Sequence, residues 1–290
     1  MLFDDASLTD AVRVFQYDYV YFDAMFLAGW VVWLLRNKRF SALRAGVVFG
    51  LLIYVIDAIF WWNLPAGPGY PAGTFVREYW IGGVPVPHEM GDLFLLKSGC
   101  DFMMTISYGM FAFAWTWLLF GYWRGQLSRR ELISSTGLWS AAWILTPWLS
   151  IWIPWNDTTV YTVRHMATQF SIWNANLILG YVFLIIVARS GRFGAKEPWR
   201  RILSIFMMGM FVSFMMEFPL YISGIRPING PFLVYETVFL FNQGAPYLWF
   251  LSERLYPYLT RRWKTRVPYL TRQKHPLATS DPIAASMGAP

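Results

Sequence analysis

The sequence is poor in charged residues, cysteine and histidine. Only 14% of its 290 residues are charged, against about 25% in soluble domains, while 56% are hydrophobic. The single cysteine, Cys100, excludes an internal disulfide, and the three histidines are too dispersed to form a paired metal site. Phosphate-binding and dinucleotide-binding glycine motifs are also absent from the sequence. We therefore expect neither a metal nor a cofactor.

Long apolar segments take the place of these features. Seven of them have a length of about 20 residues, which is enough to cross the hydrocarbon core of a bilayer. They lie near residues 17–35, 44–62, 99–120, 132–153, 170–188, 202–223 and 233–252. The sequence thus predicts an all-α integral membrane protein with seven transmembrane helices, in a domain that covers residues 1–257.

The basic residues are distributed unevenly among the predicted loops. Of 24 Lys and Arg, 19 fall in 36–44, 124–131, 189–201 and the region from Glu253 onward. Because cytoplasmic loops are enriched in Lys and Arg, we expect the N-terminus outside and the C-terminus in the cytoplasm. The net charge of +7 is then explained by topology, and we expect no nucleic-acid partner. The opposite side keeps only five basic residues: Arg13, Arg77, Lys97, Arg164 and Arg226.

Two segments outside the apolar runs have a distinct composition. The predicted outer loop, residues 63–97, is rich in Pro and Gly, and loops of this length are usually functional or disordered. We interpret it as a candidate lid. Residues 258–290 are basic and contain several prolines, which predicts a flexible cytoplasmic tail.

A weak internal similarity relates the two halves of the chain. DFMMTISYGMFAFAW (101–115) and ETVFLFNQGAPYLWF (236–250) both begin with an acid and carry a glycine eight residues later. The apolar segments before them each carry an acid as well, Asp57 and Glu217. One interpretation is a 3+1+3 parallel repeat of the kind found in transporters. The alternative is chance similarity among aromatic-rich helices.

Five acids share one depth in the predicted topology, within the outer half of the membrane. Ionisable groups inside a membrane usually face a cavity and mark a functional path. We therefore predict a polar cavity with four catalytic acids: Asp57, Asp101, Glu217 and Glu236. Glu217, between apolar neighbours, is expected to be the protonated donor, with Asp57 or Asp101 as the base. The alternative for Asp101, Glu236 and the fifth acid, Asp23, is a solvated acid at a helix start.

Polar and aromatic residues at the same depth are predicted to bind the substrate. They are Asp23, Asn174, Asn176, Asn242, Trp61, Trp173 and Tyr221. Aromatic faces stabilise cations, so protonatable acids and aromatic walls together suit reactions that form a carbocation.

These features predict an intramembrane acid–base enzyme for a lipophilic isoprenoid, terpene or sterol, acting by cyclisation or isomerisation. In plan, the arrangement resembles the seven-span terpene cyclases of meroterpenoid pathways and the membrane sterol isomerases, but no stretch matches their motifs and no residue is assigned from them. The expected partner is a membrane lipid or lipophilic small molecule. Two alternatives remain open: a 3+1+3 transporter of a small solute or cation, and an assembly factor or sensor.

Overall fold

The computed structural model describes residues 10–89, 91–191 and 194–259, and it is mostly helical (69%). The helices are α1 (Asp18–Arg36), α2 (Phe40–Asn63), α3 (Phe94–Trp123), α4 (Arg129–Trp152), α5 (Met166–Ser190), α6 (Trp199–Ile222), α7 (Gly230–Phe239) and α8 (Ala245–Phe250). From residue 260 onward, the predicted cytoplasmic tail lies outside the described residues.

Five helical segments are long and apolar enough to cross a membrane by length and composition: α1, α2, α3, α6 and residues Gln169–Ser190 of α5. This composition supports a multi-pass membrane protein. The apolar segment predicted at 233–252 is not one continuous helix, because residues 240–244 interrupt it between α7 and α8.

A four-stranded antiparallel sheet corrects the expectation of an all-α fold. Its strands are β1 (Asp10–Gln16), β2 (Arg77–Ile81), β3 (Val84–Pro85) and β4 (Thr159–His165), in the order β1-β4-β2-β3. The three longer strands are rich in β-branched and aromatic residues, and buried and half-buried positions alternate along them, apart from two consecutive buried residues in β4. β2 and β3 lie within the stretch that we interpreted as a loop and candidate lid.

The sheet lies at one end of the helices. β1 directly precedes α1, β4 directly precedes α5, and β2 and β3 lie in the connection between α2 and α3. The register pairs Arg13 with Thr162 and Arg77 with Arg164. Since paired residues and residues two apart share a face of a sheet, the three arginines project from the same face. Their ion pairs, described below, show that this face is turned toward the helices.

Glycines allow α2 and α3 to pack closely. A Cβ atom added at Gly109 of α3 would lie 2.5 Å from the Cα atom of Gly50 in α2, and one at Gly46 would lie 3.0 Å from the Cα atom of Met110. Small residues at such crossings let two backbones approach. This contact fixes the position of two helices that form the walls of the cavity described next.

Candidate functional site

A cavity of about 570 Å³ lies among α2, α3, α5, α6 and the α7–α8 segment. Most of its wall is apolar, including Val48, Phe49, Leu52, Ile53, Ile56, Ala112, Phe113, Leu240, Phe241 and Leu251. Three of these residues, all on α2, have exposed side chains: Val48, Leu52 and Ile56. The cavity is therefore accessible on its α2 side, along a helix that is apolar enough to face the chains of membrane lipids.

Charged and hydroxyl groups are gathered at the end of the cavity near the sheet. Arg13 and Arg164 reach its wall from β1 and β4, while Asp57, Tyr108 and Glu217 come from α2, α3 and α6. Along α2, Asp57 and Val48 are nine residues apart, which corresponds to about 13–14 Å of helix. The cavity thus has a polar end and an apolar body, the shape of a site for an elongated amphiphile.

Asp57 is held by two arginines from the sheet. Arg164 Nη2 donates to both carboxylate oxygens, at 2.8 and 2.7 Å, and Arg77 donates through Nη1. Arg77 Nη2 also lies 3.5 Å from Asp101 Oδ1. Asp101 forms a second ion pair with Lys97, whose Nζ lies 2.7 Å from Oδ2. All of these side chains are buried or largely buried, so each charge depends on its partners rather than on water.

Glu217 is also held by two arginines. Arg13 Nη2 donates to Glu217 Oε1 at 2.9 Å, and Arg226 Nε lies 3.1 Å from Oε2. Arg226 additionally donates through Nη1 to Glu236 at 2.7 Å. The Glu217, Arg226 and Glu236 side chains are each at most 2% exposed. The acid that the sequence places among Met and Phe residues is therefore neutralised by buried arginines.

The two sets of ion pairs follow the same plan. Arg77, between α2 and α3, bridges a carboxylate from each of those helices, and Arg226, between α6 and α7, does the same for α6 and α7. The second arginine of each set precedes a helix of the other half: Arg164 precedes α5, and Arg13 precedes α1. β1 and β4, which carry these two arginines, pair antiparallel.

The four predicted catalytic acids occupy two kinds of position. Asp57 and Glu217 line the cavity, whereas Asp101 and Glu236 do not and instead hold Arg77 and Arg226. Two arginines around one carboxylate favour its charged form. Each cavity carboxylate is thus paired with two arginines, and the assignment of Glu217 as the protonated donor stays a prediction.

The predicted substrate-binding residues divide in a similar way. Three of them line the cavity: Trp61, Trp173 and Asn176. Four do not: Asp23, Asn174, Tyr221 and Asn242. Asn242 has a packing role, since it accepts a hydrogen bond from Tyr181 at 2.7 Å and fills the space beside Gly209.

The basic residues and Tyr108 were not among the site residues predicted from the sequence. All five basic residues that we used only to assign membrane orientation take part in the ion pairs. They equal in number the five acids at the same predicted depth, and this match is the signal that could have identified them. Tyr108 lines the cavity, its hydroxyl lies 3.2 Å from that of Tyr19, and the Arg13 guanidinium lies 5.6 Å from its ring centroid.

Irregular helix turns contribute to the cavity wall. Ile56 and Asp57 belong to a π-helical turn in α2 (Val55–Phe60), and Met104 belongs to another in α3 (Met103–Ser107). Leu251 begins a third, Leu251–Leu255, directly after α8. π-Helical turns are rare in proteins overall, and those that occur are often found at functional sites.

A second ionisable cluster ties the strands together on the sheet face turned away from the arginines. His165 Nδ1 lies 2.9 Å from Asp10, and Nε2 lies 3.4 Å from Glu78. Burial lowers the pKa of His165, but the hydrogen bonds and charges of the two acids outweigh it and raise the pKa to about 9. His165 is therefore a cation at neutral pH that links β1, β2 and β4.

Comparison of the chain with protein families, curated proteins and solved structures finds no match.

Proposed function

We propose that this protein is an intramembrane acid–base enzyme that acts on a lipophilic substrate of isoprenoid, terpene or sterol type. The observation that carries this proposal is the apolar cavity, accessible on its α2 side, that ends at two carboxylates, Asp57 and Glu217, each beside an arginine of the cavity wall. An apolar substrate enters from the bilayer, and its reacting end reaches the charged groups.

Isomerisation is the reaction that this arrangement suits best. A charged carboxylate, Glu217 or Asp57, removes a proton from a carbon of the substrate. Arg13 and Arg164 stabilise the negative charge that develops on a neighbouring substrate oxygen, as preorganised cations do in other enzymes. The Tyr108 hydroxyl then donates a proton to a second carbon, and the proton that the carboxylate took up returns to the Tyr108 oxygen, which restores both groups. The proton count balances without a co-reactant.

The proposal includes a membrane topology. The N-terminus lies outside, the chain crosses seven times, and the two halves form a 3+1+3 repeat around the cavity. The uneven distribution of Lys and Arg supports the orientation, and the shared plan of the ion pairs supports the repeat.

Cysteine labelling of a Cys100-free variant tests the orientation. Ser128→Cys should be protected from an impermeant reagent added outside, while Ala72→Cys, in the α2–α3 connection, should react. The reverse pattern would overturn the topology.

Exchange of carbon-bound hydrogen with deuterium oxide tests the enzymatic proposal. Purified protein is incubated in deuterium oxide with lipids extracted from the producing membrane, and the lipids are analysed by chromatography and mass spectrometry. One lipid class should incorporate deuterium at carbon, and Glu217→Gln or Asp57→Asn should reduce the rate by about 10²–10⁴-fold, the usual effect of one acid or base.

Glu197→Gln is the matched control, because Glu197 pairs with Arg254 near the opposite end of the helices and lies outside the cavity. Its exchange rate should equal that of the wild type. Absence of any wild-type exchange, or equal exchange in wild type and both cavity variants, would contradict the proposal. Solute uptake into vesicles that depends on Glu217 without any lipid exchange would indicate a transporter instead.

A further inference from the structure

The charged cluster at the polar end of the cavity is not electrically balanced. Its ion pairs join five cations to four carboxylates: Arg13, Arg77, Lys97, Arg164 and Arg226 to Asp57, Asp101, Glu217 and Glu236. One positive charge is thus in excess. A buried charge without a counter-charge is costly, so a bound anion would stabilise the cluster.

The excess belongs to the set of ion pairs around Asp57. In the set around Glu217, Arg13 and Arg226 balance Glu217 and Glu236. In the set around Asp57, three cations, Arg77, Lys97 and Arg164, face only Asp57 and Asp101, and Arg164 lines the cavity. Each cavity carboxylate has one arginine that does not line the cavity, Arg77 for Asp57 and Arg226 for Glu217. These two arginines also hold the carboxylates Asp101 and Glu236, which lie outside the cavity. Arg13 and Arg164 are the second partners, and both line the cavity.

Both cavity arginines keep unused hydrogen-bond donors. Among the described residues, Arg13 donates only from Nη2, to Glu217, and Arg164 donates only from Nη2, to Asp57. Arg164 Nε is buried without a hydrogen-bond partner in the described part of the chain. A guanidinium group carries five N–H donors in a planar fork that matches the geometry of a carboxylate or phosphate. These remaining donors suit an oxyanion.

The two arginines are near enough to act on each other. Burial lowers the pKa of Arg164; the charge of Asp57 opposes this, while the positive charges of Arg77, Arg13 and Arg226 add to it. Burial is thus the main cause of the lowered pKa, and the neighbouring arginines add to it. An anion between Arg13 and Arg164 would oppose both effects, because it stabilises the charged guanidinium groups.

We propose that the cavity binds a single-chain amphiphile whose oxyanion headgroup lies between Arg13 and Arg164 and whose chain runs along α2 and α3. The headgroup is a carboxylate or a phosphate monoester. The inference rests on the proposed function in one respect, since both require a lipophilic molecule in the cavity, and it adds the charge of the molecule's polar end.

Competition for labelled oleate tests this inference. Purified protein in phosphatidylcholine nanodiscs is equilibrated with tritiated oleate, and four unlabelled competitors of the same chain are added: oleate, oleyl phosphate, oleyl alcohol and oleylamine. Oleate and oleyl phosphate should displace the label, and the stronger one identifies the headgroup. The alcohol and the amine should be at least about 10-fold weaker, the effect expected for losing hydrogen bonds to a charged group.

Variants locate the headgroup. Arg13→Gln and Arg164→Gln should each weaken oleate binding by about 10- to 100-fold, and Glu217 and Asp57 each keep a second arginine that maintains the fold. Arg13→Lys retains the charge and should give an intermediate loss. Arg129→Gln is the control, because Arg129 is exposed at the opposite end of the helices, and it should bind like the wild type.

Adjacent positions on α2 locate the chain. Leu52 lines the cavity and is exposed, whereas its neighbour Leu51 is exposed but lies outside the cavity. Leu52→Trp should block oleate binding, and Leu51→Trp should leave it unchanged. Equal effects of the two variants would overturn the placement of the chain.

Equal competition by oleate and oleyl alcohol, or no saturable oleate binding, would overturn the inference. If deuterium exchange into a membrane lipid persists in that case, the proposed function stands and only the charge of the substrate is wrong. Saturable, arginine-dependent oleate binding without any exchange would leave this inference in place and contradict the enzymatic proposal.

Discussion

Arg226 is the side chain whose loss should most disturb the charged cluster. Glu217 has a second cation, Arg13, but Arg226 is the only described residue that forms an ion pair with Glu236. Arg226→Met therefore leaves Glu236 buried beside a second carboxylate without a cation of its own. Removing one partner of a buried pair costs about 3–5 kcal/mol, and we expect a loss of that size in the free energy of unfolding.

Removal of the carboxylate instead of the arginine should destabilise the protein less. Glu236→Gln leaves Arg226 paired with Glu217, so we expect a cost of about 1–2 kcal/mol, close to that of one imperfectly satisfied polar group. Arg226→Met combined with Glu236→Gln removes the stranded charge and should recover about 1–3 kcal/mol relative to the sum of the single variants. Reversible unfolding in mixed micelles, followed by tryptophan fluorescence, measures all three values.

Arg129→Met serves as the control for loss of a basic side chain, since Arg129 is exposed. Two results would contradict this role of the cluster. One is a loss in the free energy of unfolding for Arg226→Met that is no larger than for the control. The other is a loss for the double variant that equals the sum of the two single losses.

Three further predictions concern structural elements outside the cluster. Because the pKa of His165 is raised to about 9 from 6.5, its stabilisation is complete below about pH 6.5 and is lost as pH rises through 9; the unfolding temperature should fall over this range, and much less in His165→Gln. Gly109→Ala places a Cβ atom against Gly50 and should lower the free energy of unfolding by about 1–3 kcal/mol. Gly29→Ala has open space around its Cβ atom and should raise the free energy of unfolding slightly. Equal effects of the two variants in chemical denaturation would refute the close crossing of α2 and α3. Asp18 accepts two backbone hydrogen bonds and one side-chain hydrogen bond from residues 155–156, so Asp18→Ala should cost about 2–3 kcal/mol and speed proteolysis of that loop; unchanged cleavage would contradict this.

The depth of the acids could be predicted from the sequence, but their partners could not. The membrane orientation inferred from the basic loops, together with the positions of Asp57 and Glu217 late in their segments, placed these two acids at one level. Arg13 pairs with Glu217 across 204 positions of the chain, and Arg164 pairs with Asp57 across 107. No local pattern encodes such pairs, because they depend on how the sheet folds over the helices.

The sheet was missed for a related reason. Its two longest strands have only seven residues each, and they lie directly before helices, where a short alternating segment is easily interpreted as a loop. Their pairing with each other spans about half of the chain. Tertiary contacts rather than local propensity determine such a sheet.

The interruption between α7 and α8 has a local cause, because Pro246 lies in the first turn of α8 and cannot donate a backbone hydrogen bond to a preceding turn, and it has a tertiary cause as well. The segment around residues 240–244 is apolar enough to predict a continuous helix, but the Phe241 amide donates to Ser213 Oγ at 2.9 Å. Gly244 also lies against the ring of Phe113, at a place where a Cβ atom would approach within 2.7 Å. The break brings Leu240, Phe241 and Gly244 to the cavity wall.

Crystallographic location of a heavy-atom lipid shows directly whether the cavity holds an amphiphile with its charged end at the arginines. Crystals grown with 9,10-dibromostearate locate the bromine atoms by anomalous scattering and the carboxylate by electron density. We predict bromine peaks between α2 and α3, beside Leu52 and Phe113, with the carboxylate at Arg13 and Arg164. Bromine peaks outside the cavity, or a carboxylate at the Leu251 end, would contradict the account.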